Sequence, residues 1–151
     1  MTMSLQEISD RLEIADLINA YSHAIDSRSW DDLDEVFTPD AVIDYTELGG
    51  TRGNREETKA FLASAMPMFK SFYHMQATTK LTLAGDTATG RTICHNPMIV
   101  STADGGNKVL YCGLWYRDTF VRTAEGWRIK ERYEEKCYSD FDDAPEFSAV
   151  K

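Results

Sequence analysis

The order of patterns along the 151-residue sequence predicts an α+β fold, with N-terminal helices packed on a curved, mainly antiparallel sheet. Three observations carry that expectation. Apolar residues first recur at steps of three and four, from Tyr73 onward they alternate with polar ones, and Gly, Asp and Asn turns divide the alternating half into hairpins. Helices ahead of a meander come to lie on one face of the sheet, which makes a cone with one open end.

Each element has its own signal. Ser4 with Glu7 has the capping-box form, and Leu5, Ile8, Leu12, Ala15, Ile18, Tyr21 and Ile25 follow as one helical face, so a long first helix covers 5–26. Ser29 followed by Asp32 caps a short second helix carrying Trp30, Leu33, Val36 and Phe37, and the Pro39-Asp40 turn ends it. A brief strand runs over 41–46. Gly49, Gly50 and Gly53 form a loop, Asn54 with Glu57 opens a third helix, and that helix bends or stops before Pro67, which has no amide hydrogen to give. Strands then cover 73–83, 87–100, 109–121 and 127–138, separated by turns at Gly85-Asp86, Asp104 to Asn107 and Glu125-Gly126. An acidic tail with Pro145 closes the chain and is expected to pack loosely or against a neighbour.

A single domain over 1–151 is expected, because domains ordinarily hold roughly 100–200 residues. Such a chain has enough interior for a core and a cavity within it. The charge balance, 16 Lys and Arg against 25 Asp and Glu, gives a net −9. Nucleic-acid affinity comes largely from cations neutralising phosphates, so neither nucleic acid nor an anionic membrane surface is an expected partner. Cys94, Cys112 and Cys137 are odd in number and lack CxxC spacing; they read as small core hydrophobes in a reducing cytoplasm. The opening residues are polar and acidic, unlike a signal peptide, and no run of apolar residues is long enough for a membrane span.

The search for a neutral-pH base is confined to three histidines. His23 lies mid-helix and reads as exposed, His74 opens the first long strand, and His95 stands just before Asn96-Pro97, where proline favours a bulge. No HxxxH pair, GxSxG elbow or phosphate-binding glycine pattern occurs, so neither a metal nor an organic cofactor is expected. Asp26 ends the first helix, where its charge opposes the helix dipole by about 0.3–1 kcal/mol. It is either a solvated helix end or a carboxylate with a partner elsewhere.

Four stretches carry a resemblance. They are Ile14-Ala-Asp-Leu-Ile-Asn-Ala-Tyr21, the segment from Ala24-Ile25-Asp26 to Trp30-Asp-Asp-Leu33, the segment from Val36-Phe37-Thr38-Pro39-Asp40 to Tyr45, and Gly126-Trp127-Arg128-Ile129. Together they resemble the SnoaL-like branch of the NTF2-like superfamily, and within it scytalone dehydratase and hexachlorocyclohexane dehydrochlorinase. The resemblance implies a cone-shaped α+β barrel around a largely apolar pocket, assembled as a homo-oligomer. It also implies that Asp26 and His74 form a catalytic pair, with the spacing of the dehydrochlorinase, and that Tyr45 matches a tyrosine of the dehydratase. The match departs at Ile25, where the dehydratase has tyrosine, and at Cys112, near its pocket asparagine; His95 is offset from its second histidine.

Strict alternation sets His74 with Gln76, Thr78, Lys80 and Thr82 on the polar side of its strand. His74 therefore either marks the polar end of the cavity or faces solvent. In the first case Asp26 would orient the imidazole, His74 would act as general base, and Tyr21 and Tyr45 would donate to developing negative charge, with His95 and Trp115 as further substrate-binding candidates. The leading expectation is a cofactor-independent lyase, dehydratase-like or dehydrohalogenase-like, acting on a small apolar cyclic substrate in the cytoplasm. Two alternatives stand: an isomerase or polyketide-cyclase-like enzyme, and a non-catalytic ligand-binding module. A homo-oligomer, dimer or trimer, is expected in each case.

Overall fold

Helix α1 (Leu5–Asp26) starts where its cap predicts: the Ser4 hydroxyl accepts the Glu7 amide and the Glu7 carboxylate accepts the Ser4 amide. The computed structural model describes residues 2–141, so the acidic tail with Pro145 lies outside the described residues. The buried face of α1 consists of Asp10, Ile14, Leu17, Ile18, Tyr21, Ala24 and Ile25. Leu5, Ile8 and Leu12, expected on that face, are exposed. The first half of the helix is turned by Asp10, which is drawn inward by two long-range partners described below.

The expected second helix is a 3-10 helix, Trp30–Glu35. Phe37 belongs instead to strand β1 (Phe37–Asp44), which runs straight through Pro39-Asp40 where a turn was expected. Proline is tolerated there because the pairing of β1 is irregular between Phe37 and Val42, so no ladder donor is missed. Tyr45 stands just past the strand, at the head of a 3-10 turn over Thr46–Leu48. Strand β2 (Arg52–Gly53) and helix α2 (Arg55–Ala65), the latter with the Asn54–Glu57 capping box, follow; a 3-10 turn, Met66–Met68, holds Pro67.

The remaining chain is sheet. Strands β3 (Ser71–Phe72), β4 (Met75–Ala84), β5 (Thr87–Ser101), β6 (Asn107–Thr123) and β7 (Gly126–Ser139) complete a seven-stranded sheet in the order β2-β1-β7-β6-β5, with both β3 and β4 paired to β5. Only the β1–β7 pair is parallel among the described strands. The sheet curves without closing around α1 and α2, and Ile14, Ile25, Leu33, Phe37, Leu110 and Ile129 fill the space between, each at most 1% exposed.

One end of this cone is sealed by charge. Asp10 accepts both guanidinium nitrogens of Arg122 at 2.8 Å and the Trp127 indole N–H at 3.1 Å, while Arg122 also donates to Asp86 at 2.9 Å. The hydrogen bonds from Arg122 hold the Asp10 carboxyl well below the usual carboxylate range. Among the described residues no helix is long and apolar enough to cross a membrane.

Candidate active site

At the other end, a cavity of about 570 Å³ opens between the C-terminal part of α1, α2 and the concave face of the sheet. Its apolar wall includes Ile25, Phe61, Leu62, Phe69, Met98 and Leu114, and its polar lining includes Tyr21, Tyr45, His74, Asn96, Tyr116 and Glu134.

Asp26 and His74 meet at this wall. His74 Nδ1 lies 2.7 Å from Asp26 Oδ1, and the His74 backbone N–H donates to both carboxylate oxygens at 3.1 and 3.0 Å. Asp26 thus fixes the histidine by backbone and ring together. A carboxylate accepts from an Nδ1–H, which leaves the Nε2 lone pair free, and Nε2 has no partner among the described residues. The His74 side chain is 7% exposed and is packed edge-on against Tyr21 and Phe72.

Parity misjudged the neighbourhood of His74 for one reason. Gln76 pairs with Cys94 and Thr79 with Thr92, so β4 carries one residue more than β5 across this interval. A bulge of this kind reverses inward and outward positions along the strand. Before it His74 and Gln76 point in, and Gln76 donates to the Ile18 carbonyl and to Ser22. After it Thr79, Leu81 and Leu83 take the more buried positions.

The two tyrosines are also at the cavity, with their hydroxyls hydrogen-bonded to each other at 2.8 Å. Burial pushes the Tyr21 phenol up to about 12 and Tyr45 well above its usual value, so both remain protonated donors near neutral pH. His95 and Trp115 are corrections, because both sit on the outer face. Along β5, Cys94, Asn96 and Met98 point inward and His95 outward, where its Nδ1 meets the Tyr138 hydroxyl at 2.7 Å and its ring stacks on Tyr111. Trp115, between inward Leu114 and Tyr116, lies under the Arg91 guanidinium at 4.1 Å. Gly113 makes room there, since a Cβ would fall inside the Tyr138 ring. Cys137, expected in the core, is exposed, while Cys94 and Cys112 are buried.

Sequence reasoning passed over Glu134 and Asn96 at the cavity and the buried Arg132 against Tyr21 and Tyr116. Arg132 is fully buried, donates twice to Asp118 at 2.8 Å, and lies 4.0 and 4.1 Å from the ring centres of Tyr21 and Tyr116. Glu134, the next inward position of β7, lines the cavity half-buried, without a hydrogen-bond or ion-pair partner among the described residues; desolvation, opposed by Arg132, pushes its carboxyl up to about 8. Asn96 Oδ1 and the Tyr116 hydroxyl are buried and likewise unpartnered. The run Glu131-Arg-Tyr-Glu-Glu-Lys136 resembles a solvated face; only the alternation of Arg132 and Glu134 could have signalled otherwise. No three His, Cys, Asp or Glu side chains among the described residues are grouped to hold a metal ion.

Comparison with known proteins places this architecture. The SnoaL-like domain family matches residues 6–133. This chain belongs to the SnoaL-like family. An uncharacterized protein of Mycobacterium tuberculosis strain H37Rv is 51% identical over 136 residues, 90% of this chain and 91% of that one. Among solved structures, a candidate scytalone dehydratase from Novosphingobium aromaticivorans superposes with a TM-score of 0.79 at 16% identity, covering 91% of this chain and 90% of that one. A hexachlorocyclohexane dehydrochlorinase superposes with a TM-score of 0.77 at 19% identity, covering 89% and 90%. At such identities the likeness is one of fold, and this SnoaL-like chain has the NTF2-like α+β cone.

Proposed function

We propose that this SnoaL-like protein is a cofactor-independent lyase that eliminates water or halide from a small, largely apolar cyclic substrate, with His74 as base and Asp26 as its orienting partner. The carrying observation is the grip of Asp26 on both the backbone and the ring of His74 at the wall of an apolar cavity. In this reading Nε2 takes a proton from carbon, Asp26 stabilises the imidazolium that results, and the protonated Tyr21 and Tyr45 hydroxyls stabilise negative charge on the substrate. The fold shared with a dehydratase candidate and a dehydrochlorinase supports the choice of elimination.

The test is turnover of scytalone, followed as loss of water, and of hexachlorocyclohexane, followed as chloride release. Activity of the wild type on either, abolished in His74→Ala and Asp26→Asn with unchanged circular dichroism, is the expected result. Full activity in either variant removes the pair from the mechanism. Exchange of the α-hydrogens of a cyclic ketone for deuterium without a leaving group favours the isomerase alternative, and no exchange or turnover favours a binding module.

Assembly as a homo-oligomer and a cytoplasmic location belong to the same reading. Met75, Ile93, Val109, Tyr111 and Tyr138 are each more than a third exposed on the outer sheet, a patch that a second copy would cover. Free cysteines fit a reducing compartment. Light scattering that gives a monomer at micromolar concentration would remove the assembly.

A further inference from the structure

The Asp26–His74 pair accounts for a proton acceptor and leaves Glu134 unused. This residue reaches the cavity from β7 and His74 from the start of β4, with β6 and β5 between them in the sheet. Glu134 is level with Tyr116, Thr92 and Thr79 across the sheet and His74 lies several residues further along, next to Met75, which pairs with His95, so the two reach one cavity from different strands and different heights. Glu134 pairs in register with Tyr116 on β6, and Asp44 on β1 pairs with its neighbour Tyr133.

The charged and titratable groups around Glu134 pull in both directions. Arg132, on its own strand, favours the ionised carboxyl but gives Nε and one terminal nitrogen to Asp118; Lys136, two residues on, shares the cavity wall. Asp44 and Glu47 oppose ionisation, and Tyr21, Tyr45, Tyr116, Cys94 and Cys112 are neutral groups whose own ionisation burial opposes. A carboxyl held neutral in a cavity wall is a hydrogen-bond donor and an acid. The neighbouring Tyr116 hydroxyl and, further along the sheet, Asn96 Oδ1 also lack partners, so several polar groups of the cavity have hydrogen-bonding capacity for a ligand or water.

We propose that Glu134 is the general acid of this cavity, donating its proton to a substrate oxygen while His74 removes a proton from carbon, which makes the substrate a small ring compound bearing a hydroxyl group and the reaction a dehydration. The assignment rests on the elimination reading above and narrows it. His74 Nε2 takes the C–H proton, the C–H electron pair becomes the new π bond, and the C–O pair departs on the oxygen, which takes the Glu134 proton and leaves as water. Solvent then returns a proton to Glu134 and removes one from His74. Hydroxide leaves poorly without a proton and chloride leaves readily as the anion, so an acid at this position favours loss of water over loss of halide.

The probe is 1-tetralone, a bicyclic ketone that does not itself titrate near neutral pH and whose oxygen accepts the same hydrogen bond. Its dissociation constant is measured by calorimetry from about pH 6 to about pH 10. Wild-type affinity is expected to be flat below neutrality and to weaken about tenfold as Glu134 loses its proton, whereas Glu134→Gln, a donor that does not titrate, binds within about threefold of the low-pH value throughout. A flat wild-type profile, the same decline in Glu134→Gln, or no binding of 1-tetralone overturns the proposal. Should Glu134→Gln fail to fold, carbon-13 resonances of glutamate-labelled wild type decide: one carboxyl titrating near 8 and shifting when 1-tetralone is added is expected, and ordinary titration of every glutamate overturns it. Proton abstraction plays no part in these readouts, so loss of the elimination reading through an active His74→Ala would leave them intact.

Discussion

The two ends of the cone use the same materials to opposite ends. At the sealed end, Asp10 is 4% exposed and both its oxygens are occupied, by Arg122, Trp127 and Gln6. At the cavity end, the half-buried Glu134 and the buried Asn96 Oδ1 and Tyr116 hydroxyl have no protein partner among the described residues. Burial of a polar group is costly unless it is hydrogen-bonded. Asp10 has that cost met within the fold, and these cavity groups do not. A saturated carboxylate therefore reads as scaffold and an unsaturated one as site.

The largest effect that would break this contrast comes from the buried Asp118–Arg132 ion pair. Asp118→Ala strands the fully buried Arg132 guanidinium and is expected to cost about 3–5 kcal/mol in urea unfolding. A loss below about 1 kcal/mol would mean that this ion pair is not what holds the region.

Next comes pH, because the two ends answer to opposite limits. The unfolded Asp10 carboxyl titrates near 3.8 and the folded one lower, so its stabilisation is present above 3.8 and is lost as pH falls through the folded value. Glu134 moves the other way, from 4.5 to about 8: across that window the unfolded chain is ionised while the folded one keeps its proton, so stability declines with rising pH and levels above it. Denaturation measured across this range should lose its decline between about pH 4.5 and 8 in Glu134→Gln and part of its slope below pH 3.8 in Asp10→Asn. Trp127→Phe removes one donor to Asp10 and should cost about 1 kcal/mol. The smallest change is Asn96→Leu, within about 1 kcal/mol of wild type by unfolding, since it removes an oxygen that has no partner.

What could be read from the chain follows the same division. The ends of α1, both capping boxes and the hairpin order are local, set by residues within a few positions of one another, and they were legible. The contact of Asp26 with His74 was legible by resemblance alone, since no local pattern joins them. Leu5, Ile8 and Leu12 misled because periodicity cannot see that Arg122 and Trp127, more than a hundred residues on, claim Asp10 for the interior. His95 and Trp115 misled because alternation identifies two faces without saying which is inside, and Glu134 was hidden in a charged run.

The extra residue in β4 also separates two tasks along one strand. Beyond it, Leu81 and Leu83 pack against the core cluster; before it, His74 and Gln76 serve the cavity and the helix. Each segment keeps its own phase, so core positions can drift without rotating the histidine, and the site can change without repacking the core. The reverse also holds: excising one residue between Gln76 and Thr79 would turn His74 toward solvent while leaving every core contact beyond it in place.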